Sequence, residues 1–364
     1  MSSAAGTSRS GHGARLCVMG VEGRIARQVV SLSRERLGVE AVTTSLRAPG
    51  TARAVVVDPD EGPPSGVLQA LGGHGADTVV HVALSTDLTL DLRLETPKRR
   101  DGLIDLTRAA FAAVAPGGHL IVVTSTRAYG ARPDNPIPLP PDAPLRAQDD
   151  GGLVGDLLVV EAEVARLHAA RPDLRVTKLR SAAVVGPGVD TTITRHFETP
   201  RLLVLGGSEP LWQFVHVDDL ASAVLAVITH EPAGALGPVV TVGAPDPLTQ
   251  ERVEQISGKR RLVLPAVTAL GAAQRLQAAG LLITSGADLD FVRYPWVVSC
   301  EALESIGWAA RFDNEACVRV MVEQIRRNRA VAALRRDAAL GTASAGVALV
   351  GTAALLRRRR RRGL

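Results

Sequence analysis

The residues best placed to do chemistry begin with a glycine-spaced turn, Gly20-Val21-Glu22-Gly23-Arg24-Ile25-Ala26, directly behind the apolar run Leu16-Cys17-Val18-Met19. A first glycine lets a strand turn sharply into a helix. A second lets backbone N–H groups close on a pyrophosphate, whose charge the helix N-terminus favours. A plain tight turn between strand and helix has the same spacing, so the motif by itself leaves both readings open. An acidic residue ending the next strand would accept hydrogen bonds from a ribose 2′-hydroxyl. The stretch Thr43-Thr44-Ser45-Leu46-Arg47 offers no carboxylate and one arginine, which suits a 2′-phosphate or a surface loop equally. Cys17, Cys300 and Cys317 are too few and too scattered for a disulfide framework or a cysteine zinc site, and no metal site is expected.

The elements that must position these groups read as alternating strands and helices. After the first apolar run, strands are expected at Val39–Thr44, Ala54–Val57 (ending at Asp58), Thr78–Val82, Leu120–Val123, Leu174–Leu179 and Val239–Val242. Helical spacing of apolar residues follows Gly23 and recurs over Leu103–Val114. Such alternation implies an α/β fold, a Rossmann-type doubly wound parallel sheet covered on both faces. Ligands of such sheets bind beyond the carboxyl ends of the strands, where Gly20, Asp58, His81 and Ser125 are expected to converge.

Six stretches in order give a family resemblance. They are the glycine turn, Asp77-Thr78-Val79-Val80-His81-Val82-Ala83, Val123-Thr124-Ser125-Thr126-Arg127-Ala128-Tyr129-Gly130, Leu179–Gly188, Phe214-Val215-His216-Val217-Asp218-Asp219-Leu220-Ala221 and Leu303-Glu304-Ser305-Ile306-Gly307-Trp308. Over roughly residues 15–325 the chain resembles an extended short-chain dehydrogenase/reductase of the NAD-dependent epimerase/dehydratase type. The resemblance implies an NAD or NADP site made by Gly20, Gly23, Arg24 and Ile25, with Asp58 at the adenine and Arg47 the candidate for a 2′-phosphate. Ala83, Ser181 and Val184 would lie beside the nicotinamide. It implies Ser125 as the catalytic hydroxyl, and Tyr129 as a substrate-pocket or packing residue. It also implies a smaller C-terminal substrate lobe from 189–213 and 244–325, folded over a nucleotide domain of 15–188 and 214–243. Arg195 is the candidate for a phosphate of a nucleotide sugar.

One departure outweighs these matches. The family's Tyr-x-x-x-Lys pair sits on the helix after the fifth strand, where the ammonium lowers the phenol's pKa so that a proton can move as hydride moves. Aligned on Glu161-Ala162-Glu163, the two slots fall on Gly155 and Val159, and residues 130–177 contain neither tyrosine nor lysine. Asp156 is the candidate substitute base, ahead of His81, with Glu161, Glu163 and His216 behind. The expected function is therefore an epimerase/dehydratase-like enzyme with a non-standard base, acting on a nucleotide sugar or a related hydroxyl or carbonyl compound. The alternative is a catalytically weakened nucleotide or metabolite sensor.

Composition limits the setting. With 46% hydrophobic and 22% charged residues, the 364-residue chain can bury a large core. The formal charge of +5 owes six units to Arg357–Arg362, so the remainder is close to neutral and no nucleic-acid partner is expected. Residues 1–14 have no apolar signal segment and read as a disordered lead-in to a cytoplasmic protein. Residues 326–364 form a tail in which 338–356 carry no charge, although ten of those nineteen are Ala or Gly. Weak membrane contact, packing on the body or on a second subunit of a homodimer, and a dispensable extension all fit that composition.

Overall fold

The computed structural model describes residues 15–20, 23–39, 41–45, 54–56, 75–230, 236–265, 271 and 286–330. Arg47, Asp58, the lead-in and the tail beyond 330 lie outside the described residues. Seven parallel strands form the central sheet: β1 (Leu16–Gly20), β2 (Val42–Ser45), β3 (Ala54–Val56), β4 (Ala76–Val82), β5 (Val114–Ser125), β6 (Arg175–Ser181) and β11 (Val239–Val242). Their order is β11-β6-β5-β4-β1-β2-β3. The chain thus winds outward from β1 in one direction and from β4 in the other, and a crevice opens where the direction reverses.

Alternation along the central strands decides which face each residue covers. Leu16, Val18, Val80, Val82, Ile121 and Val123 meet one set of apolar residues, from α1 (Arg24–Leu32) and α6 (Val217–His230). Cys17, Met19, Val79, Leu120 and Val122 meet the other, from α3 (Thr96–Ala113) and α4 (Leu153–Ala170). Both faces are therefore apolar, as strands covered by helices on each side require. Each fully buried Val, Leu or Ile contributes about 1.5–3 kcal/mol. A charge at Val122, which is fully buried, would be left unpaired in this core.

The helix expected from Leu103 starts at Thr96, with Pro97 in its first turn. Proline is favoured there because the N–H it lacks has no intrahelical partner. The polar turn Lys98-Arg99-Arg100-Asp101 hides this start from an apolar-spacing argument. Between β4 and α3 runs a one-turn helix, α2 (Leu88–Asp91), capped by Asp87, whose carboxylate accepts from the Leu90 N–H at 3.0 Å.

Short strands organise the remaining chain. β7 (Ala183–Val185) pairs with β10 (Phe214–His216), β8 (Leu202–Leu205) with β13 (Arg261–Leu264), and β9 (Leu211–Trp212) with β12 (Leu248–Thr249). With α5 (Thr192–Glu198), α7 (Gln250–Ser257) and a helix over 314–330, they enclose a separate core, whereas α8 (Glu301–Ser305) packs Leu303 into the core of the main sheet. Phe197, Trp212 and Phe214 are fully buried at its centre, Trp212 stacked on Phe214 at 6.1 Å.

Candidate functional site

The sheet brings the ends of β1, β4, β5 and β6 side by side. Gly20 lies opposite Val82, and Ser125 opposite Ser181. A Cβ on Gly20 would stand 2.8 Å from both the Val82 Cβ and its carbonyl oxygen, so only glycine lets β1 end this close to β4. Gly23 then starts α1 with no side-chain cap. The Arg24 N–H donates to Thr86 Oγ1 at 3.2 Å, while the buried Arg24 Nε has no partner. A helix start without a cap and an orphaned guanidinium nitrogen fit an anionic group such as a pyrophosphate. The Ile25 side chain points into the core, leaving only its backbone free for such a role.

Next to this turn lies a cavity of about 360 Å³, walled by Ala83, Ser125, Val184 and by segments of α2, α3, α4 and α5. Its lining is dominated by aliphatic side chains, among them Leu84, Leu88, Leu94, Leu103, Leu153 and Leu157. Ser125 is buried, donates to the Ser181 carbonyl at 3.3 Å and accepts from the Arg127 N–H at 3.3 Å. The Ser181 hydroxyl donates in turn to the Thr124 carbonyl at 3.2 Å, tying β6 to β5 below the cavity.

The face that α4 turns to the cavity differs from the expected one. Leu153 and Leu157, four residues apart, line the wall together with Asp156; Gly155 and Val159 do not. Gly155 packs instead against an ion pair, and a Cβ there would overlap Asp149 and Arg100. An alignment shift of two residues rotates a helix by about 200°, enough to exchange the facing side chains. The side chains that α4 presents to the cavity at i, i+4 spacing are thus two leucines, with neither a phenol nor an ammonium among them.

Asp156 lies in the cavity wall but both its oxygens are engaged. Arg99 Nε contacts one, and Arg100 Nε donates to the other at 2.9 Å. Arg100 continues to Asp149 at 3.1 Å, and Arg99 also donates to the carbonyls of Leu94 (3.2 Å) and Gly151 (3.3 Å). The carboxylate therefore anchors two arginines of α3 against the start of α4. Glu161 and Glu163 are likewise paired. Glu161 accepts from Arg180 at 2.8 and 2.9 Å and from Thr124 Oγ1 at 3.0 Å. Burial works to raise its pKa, but the Arg180 hydrogen bonds and charge outweigh it and hold the carboxyl below its ordinary range. Glu163, bonded to Arg166 and Arg108, is drawn down to about 2.

Four other expected residues lie outside the cavity wall. The buried Tyr129 donates its hydroxyl to the Pro141 carbonyl at 2.6 Å, under the Arg180 guanidinium, so it is a packing residue here. Arg195 forms a two-pronged pair with Asp190 (2.8 and 2.7 Å) and reaches Thr89 at 2.7 Å. His81 is buried against Thr107, and burial lowers its pKa to about 4. His216 stacks on Phe312 at 3.9 Å.

Sequence reasoning passed over Asp91. It ends α2 in the cavity wall, hydrogen-bonded to Ser85. Asp156 and Asp190, the other wall carboxylates, each hold arginine, whereas Asp91 has no ion pair among the described residues. Burial pushes its pKa up to about 6, against the opposing effects of Ser85 and Arg99. A lone aspartate in Leu-Thr-Leu-Asp carries no motif that would have marked it.

Comparison with known proteins agrees with this architecture. The NAD dependent epimerase/dehydratase family matches residues 16–243. The 3-diazoavenalumate denitrifying reductase of a Streptomyces species is 34% identical over 254 residues, covering 65% of this chain and 78% of that protein. An uncharacterised protein of Mycobacterium tuberculosis is 28% identical over 159 residues, and the match spans only 43% of this chain and 42% of that protein. Among solved structures, the UDP-glucose 4-epimerase of Stenotrophomonas maltophila, with NAD and a formylated UDP-arabinopyranose bound, superposes with a TM-score of 0.60 at 18% identity, over 86% of this chain and 99% of that one. The UDP-glucose 4-epimerase of Thermus thermophilus with NAD gives a TM-score of 0.57 at 17% identity, over 85% and 99%.

Proposed function

The chain belongs to the NAD dependent epimerase/dehydratase family, and from that premise we propose that it is a nicotinamide-dependent reductase whose hydride step needs no phenol from the protein. The observation that carries this reading is the pair Leu153 and Leu157 on the cavity face of α4. A bound nicotinamide supplies the hydride. Gly20, Gly23 and the first turn of α1, with Arg24 beside it, would hold the pyrophosphate; Ala83 and Val184 would flank the reacting end, and Ser125 would orient the acceptor. Asp156 enters as the anchor of Arg99 and Arg100, not as the proton acceptor. The aliphatic lining keeps water from the hydride path.

An epimerase or alcohol dehydrogenase must take a proton from a hydroxyl as hydride leaves it, and among the described residues α4 presents no unpaired base to the cavity. An acceptor that takes hydride without a proton has no such need. The Streptomyces relative is named as a denitrifying reductase of a diazo compound, and loss of N2 from a carbon that receives hydride is a reaction of this kind. Action on a nucleotide sugar is a second reading, supported by the UDP-sugar complexes among similar folds. It would need Arg195 released from Asp190 and a base from elsewhere.

Titration with NAD, NADH, NADP and NADPH, followed by nicotinamide fluorescence and thermal shift, tests the premise of binding and settles the choice of nucleotide. Binding of at least one, with consumption of the reduced form when an electrophile is added, is the expected result. No response to any of the four refutes the reductase reading, and binding without consumption by any electrophile turns it into a sensor.

A further inference from the structure

The charges around the cavity cancel locally, apart from one half-buried carboxylate and one exposed lysine. Arg99 and Arg100 are balanced by Asp156 and Asp149, Arg195 by Asp190, and Arg127 contacts Asp288. The remaining charged wall residues are Asp91, half-buried on α2, and Lys98, exposed at the rim on α3. An unpaired carboxyl beside a leucine-lined space is costly to keep ionised, which is why its pKa stands near 6. Paired with a cation that has shed its own water, the same carboxylate becomes a strong electrostatic partner.

The cavity therefore lacks a tyrosine–lysine pair and keeps one carboxylate without an ion-pair partner among the described residues. We infer that it binds a small, mostly apolar organic cation whose electrophilic carbon is bonded to a positively charged nitrogen, with Asp91 as the counter-ion. This rests on the reductase reading and names its substrate class. Such cations complete their reduction with hydride alone. When hydride adds to an iminium carbon, the C=N π pair moves to nitrogen and leaves a neutral amine. When it reaches a diazonium carbon, a C–H bond forms as the C–N bond breaks and N2 departs with its electron pair. Hydride, from a reduced nicotinamide, is the reductant, and no proton is transferred in either case.

The charged and polar groups facing Asp91 set its response to pH. Ser85 and Arg99 favour the carboxylate, while Asp87 and Asp156 oppose it; Lys98 lies on the same wall. Above about pH 6 the carboxylate form is available to a cation, and below it protonation removes the counter-charge.

The test uses the full chain and two probes of similar size and outline, the N-methyl-3,4-dihydroisoquinolinium cation and neutral 2-tetralone. Binding is measured by calorimetry, both with no nucleotide and with oxidised nucleotide, so that no turnover occurs. The cation is expected to bind about tenfold or more tightly than the ketone. Asp91→Asn should remove that preference, leave ketone binding unchanged and not lower the melting temperature, since it removes a carboxylate that is costly to keep ionised. Lowering the pH from 7.5 to 5 should weaken cation binding to the wild type, with a midpoint near 6, and have no effect on the variant. Lys98→Gln, which removes a like charge from the rim, should tighten the cation and not the ketone. Equal affinity for the two probes, or an Asp91→Asn protein that holds the cation as well as wild type at every pH, overturns the inference. A protein that ignores all four nucleotides but holds the cation through Asp91 would retain this inference and lose the reductase reading.

Discussion

Replacing Asp156 by Asn separates an anchoring carboxylate from a proton acceptor. The side chain is 4% exposed and meets Arg99 and Arg100, whose side chains are 11% and 21% exposed. The amide keeps the volume and drops the charge, leaving two guanidiniums close together and largely out of water. Removing one partner of a buried ion pair costs about 3–5 kcal/mol. Here the loss is smaller, because Arg100 keeps Asp149 at 3.1 Å and Arg99 keeps the carbonyls of Leu94 and Gly151. About 2 kcal/mol is expected. For a chain of this size that corresponds to a fall in Tm of about 3 °C, read by calorimetry or thermal shift. Adding Arg99→Gln should restore about 1 kcal/mol, since it removes the charge left without its partner. A general base would behave in the opposite way, losing turnover by about 10²–10⁴ with stability unmoved. An unchanged Tm in Asp156→Asn, with no coupling to Arg99, would refute the anchoring role.

Gly20→Ala places a Cβ 2.8 Å from Val82 and should abolish nucleotide binding in the fluorescence titration while the remainder of the sheet still folds; undiminished binding would remove the glycine turn from the site. Glu161→Gln should cost about 3 kcal/mol at pH 7, measured by urea unfolding, because it leaves the 4%-exposed Arg180 side chain without its carboxylate. Since the folded Glu161 carboxyl titrates below the 4.5 of an unfolded glutamate, its contribution is present above that value and lost as pH falls through the folded one, so the variant should show a shallower acid limb. His81, His119 and His196 are held neutral by burial, with pKa values near 4 against 6.5 unfolded. The unfolded chain therefore binds protons first, and stability should fall between about pH 6.5 and 4, by up to about 1.4 kcal/mol per pH unit for each histidine. A flat profile over that range would show that these side chains reach water.

All seven strands of the sheet and the glycine turn were legible in the sequence, because strand periodicity and the strand-to-helix turn are local properties. The missing phenol and ammonium were also plain, since residues 130–177 hold neither type. What the sequence could not decide was which face of α4 meets the cavity. A two-residue difference in alignment turns the helix by about 200°, and only the packing of α3 against α4 fixes it. The partners of Asp156 lie 56 and 57 positions earlier, in a polar helix start that apolar spacing does not reveal. Asp91 is distinguished only by what surrounds it: partial burial, and among the described residues no arginine pair such as the other wall carboxylates have. Periodicity specifies which residues are inside; charge pairing across sixty residues is decided when the helices dock.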